Sequence, residues 1–179
     1  LNLYRARPWN LQWWLNLIVR RRIRKFVRRC TAEGIFSAPI LDAGCGYRSS
    51  YPEIQIQPYH TLDLAAELKP DYVGDICNML GIPDNRYRSI VCTEVLEHVR
   101  GPIAALEECW RVLQPGGSIV ITTPFWYPIH EKPYQEDHWR FTETGIKILL
   151  ERAGFTDIKT ENAGRKLRPT GVFTVARKP

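Results

Sequence analysis

The stretch Ile40–Arg48, ILDAGCGYR, limits what this chain can fold into more than any other. A short apolar run ends abruptly in a turn that carries glycine at 44 and 46. A brief apolar segment bounded by a turn signal marks a buried strand. Without a Cβ, Gly44 and Gly46 can take positive φ and let the backbone approach a ligand closely. The N–H groups beyond such a turn favour negative charge in front of them. The DxGxG spacing differs from the GxGxxG of dinucleotide folds and from the GxxxxGK[ST] phosphate loop, so the elements downstream decide what the turn is for.

Those elements repeat one arrangement. The run Tyr59–Leu64 ends in Asp63, an acid at the tip of a second strand, where nucleotide-binding sheets hold ribose hydroxyls. Tyr72–Ile76 puts Asp75 after a third apolar stretch, and Ser89–Glu94 ends a fourth in polar residues before Val95–Val99. Open parallel sheets bind ligands at the carboxyl ends of their strands, near the switch point. Gly101 and Pro102 start a helix with Ile103, Leu106, Trp110 and Leu113 on one face, and Pro115-Gly116-Gly117 stops it. Ser118–Thr123 reads as a fifth strand, and Thr142–Ala153 as a helix capped by Thr142 and ended by Gly154. Phe155–Glu161 and Val172–Arg177 read as a closing hairpin with a long loop. Pro52 and Pro58 leave only a stunted helix or a loop between Gly46 and Tyr59.

In this order, LDAGCG, TLDL, GDI, TEVLEHV and LEECWRVLQPGGSIVITTP resemble the class I methyltransferases that use S-adenosylmethionine, over about residues 38–124. The resemblance implies an α/β, Rossmann-like three-layer sandwich with a mostly parallel seven-stranded sheet, order 3-2-1-4-5-7-6, strand 7 antiparallel. It implies S-adenosylmethionine as cofactor. Asp42, Gly44, Cys45 and Gly46 would take its methionine side, Asp63 the ribose, and Asp75 and Ile76 the adenine, with Leu64 also in the cofactor site. Thr93, Glu94 and Val95 would line the pocket near the methyl group.

The loop Pro124–Phe141, PFWYPIHEKPYQEDHWRF, leaves the same edge of the sheet, and long loops of this kind are usually functional. His130 and His138 are the candidates for a general base, because imidazole titrates near neutral pH. Asp137 could orient one of them or bind acceptor hydroxyls, and Trp126, Tyr127 and Tyr134 could wall the pocket. The competing reading is that His138, Trp139 and Arg140 pin the loop to the body. His98 reads as a structural contact. His130, Glu136, Asp137 and His138 lack the spacing of a known metal site, and no metal is expected. The pattern PFxxPxH…P…D(H)xRFT is similar to small bacterial-type methyltransferases of sugar and cell-surface polymer pathways. That similarity implies a small-molecule, glycan or lipid-linked acceptor, methylated at a hydroxyl.

Residues 1–30 hold nine basic and no acidic residues, whereas the remainder holds 16 basic against 19 acidic. The chain therefore divides into a basic, Trp-rich helical arm (1–34) and a catalytic domain (35–179). Trp9, Trp13, Trp14, Leu17 and Ile18 recur at helical spacing and pass into a stripe of Ile23, Phe26, Val27 and Cys30. Three readings of residues 8–30 stand: a helix packed on the sheet, a peripheral membrane contact, or a nucleic-acid arm. The apolar part is about half the ~20 residues a bilayer span needs. Five cysteines without ligand spacing suit reduced thiols, so a cytoplasmic enzyme is expected, at the membrane surface if the arm binds lipid. A cofactor-binding scaffold is the non-catalytic alternative. A nucleic-acid methyltransferase is disfavoured, since TEVL stands after the fourth strand in place of the [ND]PP[YFW] or Pro-Cys motifs of such enzymes.

Overall fold

The computed structural model describes residues 11–46, 51–130, 135–165 and 167–179, with the backbone alone for 11–13. Its strands are β1 (Ile40–Ala43), β2 (Tyr59–Asp63), β3 (Tyr72–Val73), β4 (Tyr87–Thr93), β5 (Leu113–Pro124), β6 (Thr156–Arg165) and β7 (Arg168–Arg177). They form one seven-stranded sheet in the order β3-β2-β1-β4-β5-β7-β6. β1 to β5 pair in parallel, and β7 runs antiparallel to both β5 and β6. This is the order and orientation that the resemblance implied.

Period-2 alternation assigns the two faces of the central strands. Ile90, Cys92, Ile119 and Ile121 pack with Leu106 and Cys109 of helix α2 (Pro102–Val112) and with Ile146 and Leu150 of α3 (Glu143–Arg152). Val91, Val120 and Phe173 face the other way, against Ile23, Phe26, Val27 and Cys30 of α1 (Leu11–Ala32). The second half of α1 thus belongs to the core, and Phe26 stacks on Phe173 with ring centroids 4.8 Å apart. Arg22 ties the middle of the helix to the sheet by donating to Thr170 Oγ1 at 2.7 Å. Trp9 and the side chain of Trp13 lie outside the described residues.

Two expectations are corrected. Leu113 is not on the helical face: α2 ends at Val112, and Leu113, already extended, is buried at the start of β5 opposite Tyr87. Pro115 disfavours helical backbone before it, so the chain leaves the helix early. The closing hairpin has no long loop either, because pairing continues out to Arg165↔Arg168. β6 is an edge strand with both faces largely wet, so its second half shows no apolar alternation to read. Among the described residues between Gly46 and Tyr59 there is no helix, as the prolines suggested; Tyr51, Ile54 and Ile56 pack against the α1 side of the core instead.

The segment after β3 is held by a clamp on α2. Arg111 donates to the carbonyls of Ile82 (2.9 Å) and Met79 (3.0 Å), while Glu108 accepts from the Met79 N–H at 2.6 Å. This fixes the turn that carries Asp75 and Ile76.

Replacing Phe26 by Ala should cost about 3–5 kcal/mol in a denaturant melt, the usual range for a buried Phe in a packed core. A loss below about 1 kcal/mol would mean that α1 is a loosely attached arm and not a layer of the fold.

Candidate active site

The strand registers bring the chemistry-bearing tips to one edge. Ala43 lies beside Leu62, Asp63 beside Val73, Asp42 beside Val91, and Thr93 beside Thr122. Chain order reverses between β1 and β4, so the switch point lies between the glycine turn and Glu94. At that point Gly44 has φ +78, and a Cβ there would lie 2.4 Å from Val95 Cγ2. Gly46 also has positive φ, +63, but among the described residues nothing stands within 4 Å of where its Cβ would be. One glycine is needed for packing; the other is not crowded by any described residue.

Asp63 holds this turn in shape. Its carboxylate accepts from the Gly46 N–H at 2.8 Å and from the Ala65 N–H at 3.0 Å. A carboxylate has about four lone-pair positions, so it retains acceptor capacity for ribose hydroxyls. Asp42 is buried and accepts from the Tyr59 hydroxyl at 2.8 Å. Leu64 is 67% exposed at the tip of β2. Asp75 is exposed and accepts from the Cys77 N–H at 2.8 Å, whereas the Ile76 side chain is drawn into the core. Thr93 meets the Tyr51 hydroxyl at 2.5 Å. Glu94 stands at φ +54, a left-handed conformation rare for a residue with a side chain. Its carboxylate accepts from Thr122 Oγ1 at 3.0 Å, and burial pushes its carboxyl up to about 7.

The acceptor loop is anchored on the turn Leu96–His98. The N–H groups of His138 and Trp139 donate to the Glu97 carbonyl at 2.8 and 3.2 Å, and Trp139 Nε1 donates to the Val99 carbonyl at 2.8 Å. Arg140 forms a two-pronged ion pair with Asp137, whose side chain is fully buried. Burial opposes the Asp137 charge, but Arg140 and the His130 N–H overcome it and hold its carboxyl down at about 2. His130 Nδ1 lies 3.1 Å from Asp137 Oδ2, so Asp137 orients this histidine. His138 has turned its ring toward Glu136, at 3.3 Å, and serves the loop through its backbone. The pinning role considered for His138, Trp139 and Arg140 is therefore present, and of the two candidate bases it is His130 that lies against Asp137, while His138 lies against Glu136. Tyr127 lies edge-on to His130 at 5.1 Å, Trp126 is exposed, and Tyr134 falls outside the described residues.

Sequence reasoning passed over three participants. Tyr51 folds back over the strand tips to reach Thr93, and a lone tyrosine in a loop carries no signal for that. Glu97 is fully buried; burial and the neighbouring Glu94 push its carboxyl well above the usual range. His98, read as a structural contact, lies edge-on to His130 at 4.9 Å.

The open cradle at Gly46, the buried and partly buried acids at the tips of β1, β2 and β4, and the acceptor loop on the same edge fit a nucleoside-bearing methyl donor such as S-adenosylmethionine. The known proteins agree. The family described as "methyltransferase domain" matches residues 15–160. A ubiquinone biosynthesis O-methyltransferase of Alkalilimnicola ehrlichii is 25% identical over 115 residues, covering 55% of this chain and 46% of that protein. Its counterpart in Yersinia pestis is 27% identical, covering 50% and 44%. The chain thus spans less than half the length of these relatives. A methyltransferase structure from Archaeoglobus fulgidus matches with a TM-score of 0.64 at 18% identity, covering 87% of this chain and 94% of that one. The 1,6-didemethyltoxoflavin-N1-methyltransferase of Burkholderia thailandensis matches with a TM-score of 0.61 at 19% identity, covering 78% and 70%.

The two glycines should respond differently to substitution. Gly44→Ala forces a methyl group into Val95 as well as a left-handed alanine, and should cost about 2–5 kcal/mol. Gly46→Ala carries only the backbone term, about 1–2 kcal/mol, while narrowing the space open to a ligand. Equal melting shifts for the two variants would refute the close contact at the switch point.

Proposed function

Because the chain belongs to the methyltransferase-domain family, we propose that it moves the methyl group of S-adenosylmethionine to a hydroxyl of a small-molecule, glycan or lipid-linked acceptor. The observation that carries this reading is the shared edge: the donor turn of Gly44–Gly46 and the loop of His130 and Asp137 both open at the carboxyl ends of the strands. S-adenosylmethionine supplies a methyl group already activated on a sulfonium. The protein then has to align the acceptor, exclude water and ease the loss of the hydroxyl proton. Asp63, with the acceptor capacity left beyond the Gly46 and Ala65 N–H groups, holds the donor beside the glycine turn. Asp137 fixes His130 at the acceptor end, beside His98 and Glu97, where the hydroxyl proton is lost. The O-methyltransferase names of the curated relatives support oxygen as the atom methylated.

The first half of α1 supports a lipid-linked acceptor. Trp14 and Ile18 are 51% and 41% exposed, next to the basic run Arg20–Arg22, a pairing suited to an anionic bilayer surface. No helix among the described residues is long and apolar enough to cross a membrane. No disulfide joins any of the five cysteines, which suits action in the reducing cytoplasm.

Calorimetric titration of S-adenosylmethionine should give saturable binding to the wild-type chain, weakened about tenfold or more in Asp63→Ala, where two charge-assisted hydrogen bonds are lost. His130→Ala should leave donor affinity intact and suppress methyl transfer to acceptor hydroxyls. A folded wild-type chain that takes up no donor would overturn the enzymatic reading. Sedimentation with anionic vesicles that is unchanged in Trp14→Ala/Ile18→Ala would remove the lipid contact from it.

A further inference from the structure

Glu97 is a poorly accommodated acid among the described residues. Its side chain is fully buried, and neither carboxylate oxygen accepts a hydrogen bond among the described residues. A buried carboxylate needs a proton, a paired cation or a metal to be tolerated. A ring nitrogen is close by: His98 Nε2 lies 3.5 Å from Glu97 Oε1.

The proton positions on the two histidines follow from their partners. His98 Nδ1 is 2.7 Å from the Glu136 carbonyl, which can only accept, so Nδ1 carries the hydrogen. His130 Nδ1 faces the Pro128 carbonyl at 3.3 Å and Asp137 Oδ2 at 3.1 Å, again acceptors, so it too is protonated there. In the neutral rings both lone pairs are on Nε2. A histidine that gives its other N–H to a carbonyl or carboxylate is the usual outer-shell arrangement of a metal ligand, because it fixes the tautomer and the ring. Arg140 completes that support by holding Asp137.

The candidate ligand atoms of Glu97, His98 and His130 lie within 4.8 Å of one another. Ligands about 2 Å from a shared ion stand within about 4 Å of each other, so modest side-chain rotations close the set. We infer that Glu97, His98 and His130 form a binding site for a divalent transition-metal cation of the zinc, manganese(II) or iron(II) class. Two imidazoles and one carboxylate suit such ions, and three protein ligands leave room in the coordination sphere for a further one. The ligand set differs from the loop residues weighed in the sequence: of those only His130 takes part, and the other two ligands come from the turn after β4.

The site stands on its own geometry; its role rests on the O-methylation reading. There the cation would take the acceptor oxygen as a further ligand and lower the pKa of the hydroxyl. His130 would then act as a ligand and not as a base, and the hydroxyl proton would pass to solvent water.

The test uses the full chain, stripped with a chelator and titrated with Zn²⁺, and with Co²⁺ as a spectroscopic stand-in. Binding of one ion per chain, a raised melting temperature and visible Co²⁺ ligand-field bands are expected. Glu97→Gln and His130→Ala should each weaken binding by more than the 10–100-fold typical of losing an outer hydrogen bond. Without metal, Glu97→Gln should melt no lower than the wild type, because a buried amide replaces a buried acid. No saturable uptake by the wild type, or uptake unchanged in both variants, would overturn the site. Donor titration of the stripped protein separates the two readings. Donor binding without metal uptake sinks the metal site alone, and metal uptake without donor binding sinks the methyltransferase reading alone.

Discussion

Everything at the functional edge depends on the contact between Gly44 and Val95. The strand β1 ends where β4 turns out of the sheet, and the two turns touch so closely that no Cβ fits between them. That contact sets the donor turn on one side. On the other it fixes the exit of β4, which carries Glu94 in a left-handed conformation and leads directly to Glu97 and His98. The two halves of the site are therefore not separately adjustable. A shift in the glycine turn is passed within three residues to Glu97 and His98.

The acceptor loop is rigidified by the same stretch in a different way. The carbonyl of Glu97 takes two N–H groups of the loop, and the carbonyl of Val99 takes the indole of Trp139. The turn after β4 thus holds the loop through its backbone, and its side chains, Glu97 and His98, stand beside His130. Rigid support of this kind keeps a site within the tolerances that alignment of donor and acceptor requires.

The central strands and the residues at their tips were legible because their signals are local, and the sheet order followed from the family resemblance those tips carry. A strand tip followed by glycines or an acid is a contiguous pattern, and the apolar runs of β4 and β5 can only be buried strands. The early end of α2 at Val112 and the long pairing of β6 were not legible, since one depends on a proline three residues on and the other on an edge strand that needs no apolar face. The acceptor half was legible only in outline. His130 and Asp137 could be named from the loop, but their pairing, and the choice of His130 over His138, depends on where the backbone of 138 and 139 is tied. Glu97 and His98 lie 32 or more positions before His130, and nothing in the sequence announces that a turn and a distant loop meet.

The direction of α1 bears on how a greasy acceptor could be reached. Arg22 is tied to Thr170, next to the residue that pairs with the last residue of β5, so the helix passes the carboxyl edge of the sheet at that point. Trp14 is eight residues earlier, about 12 Å further along the axis. A bilayer that met Trp14 and Ile18 would face the strand ends end-on. Each methylene drawn out of lipid costs about 0.8 kcal/mol, so extracting a long chain soon exceeds what one site can recover. On the proposed lipid-linked reading, the hydrocarbon would stay in the bilayer, and only the head group would have to cross the interface to meet the methyl donor.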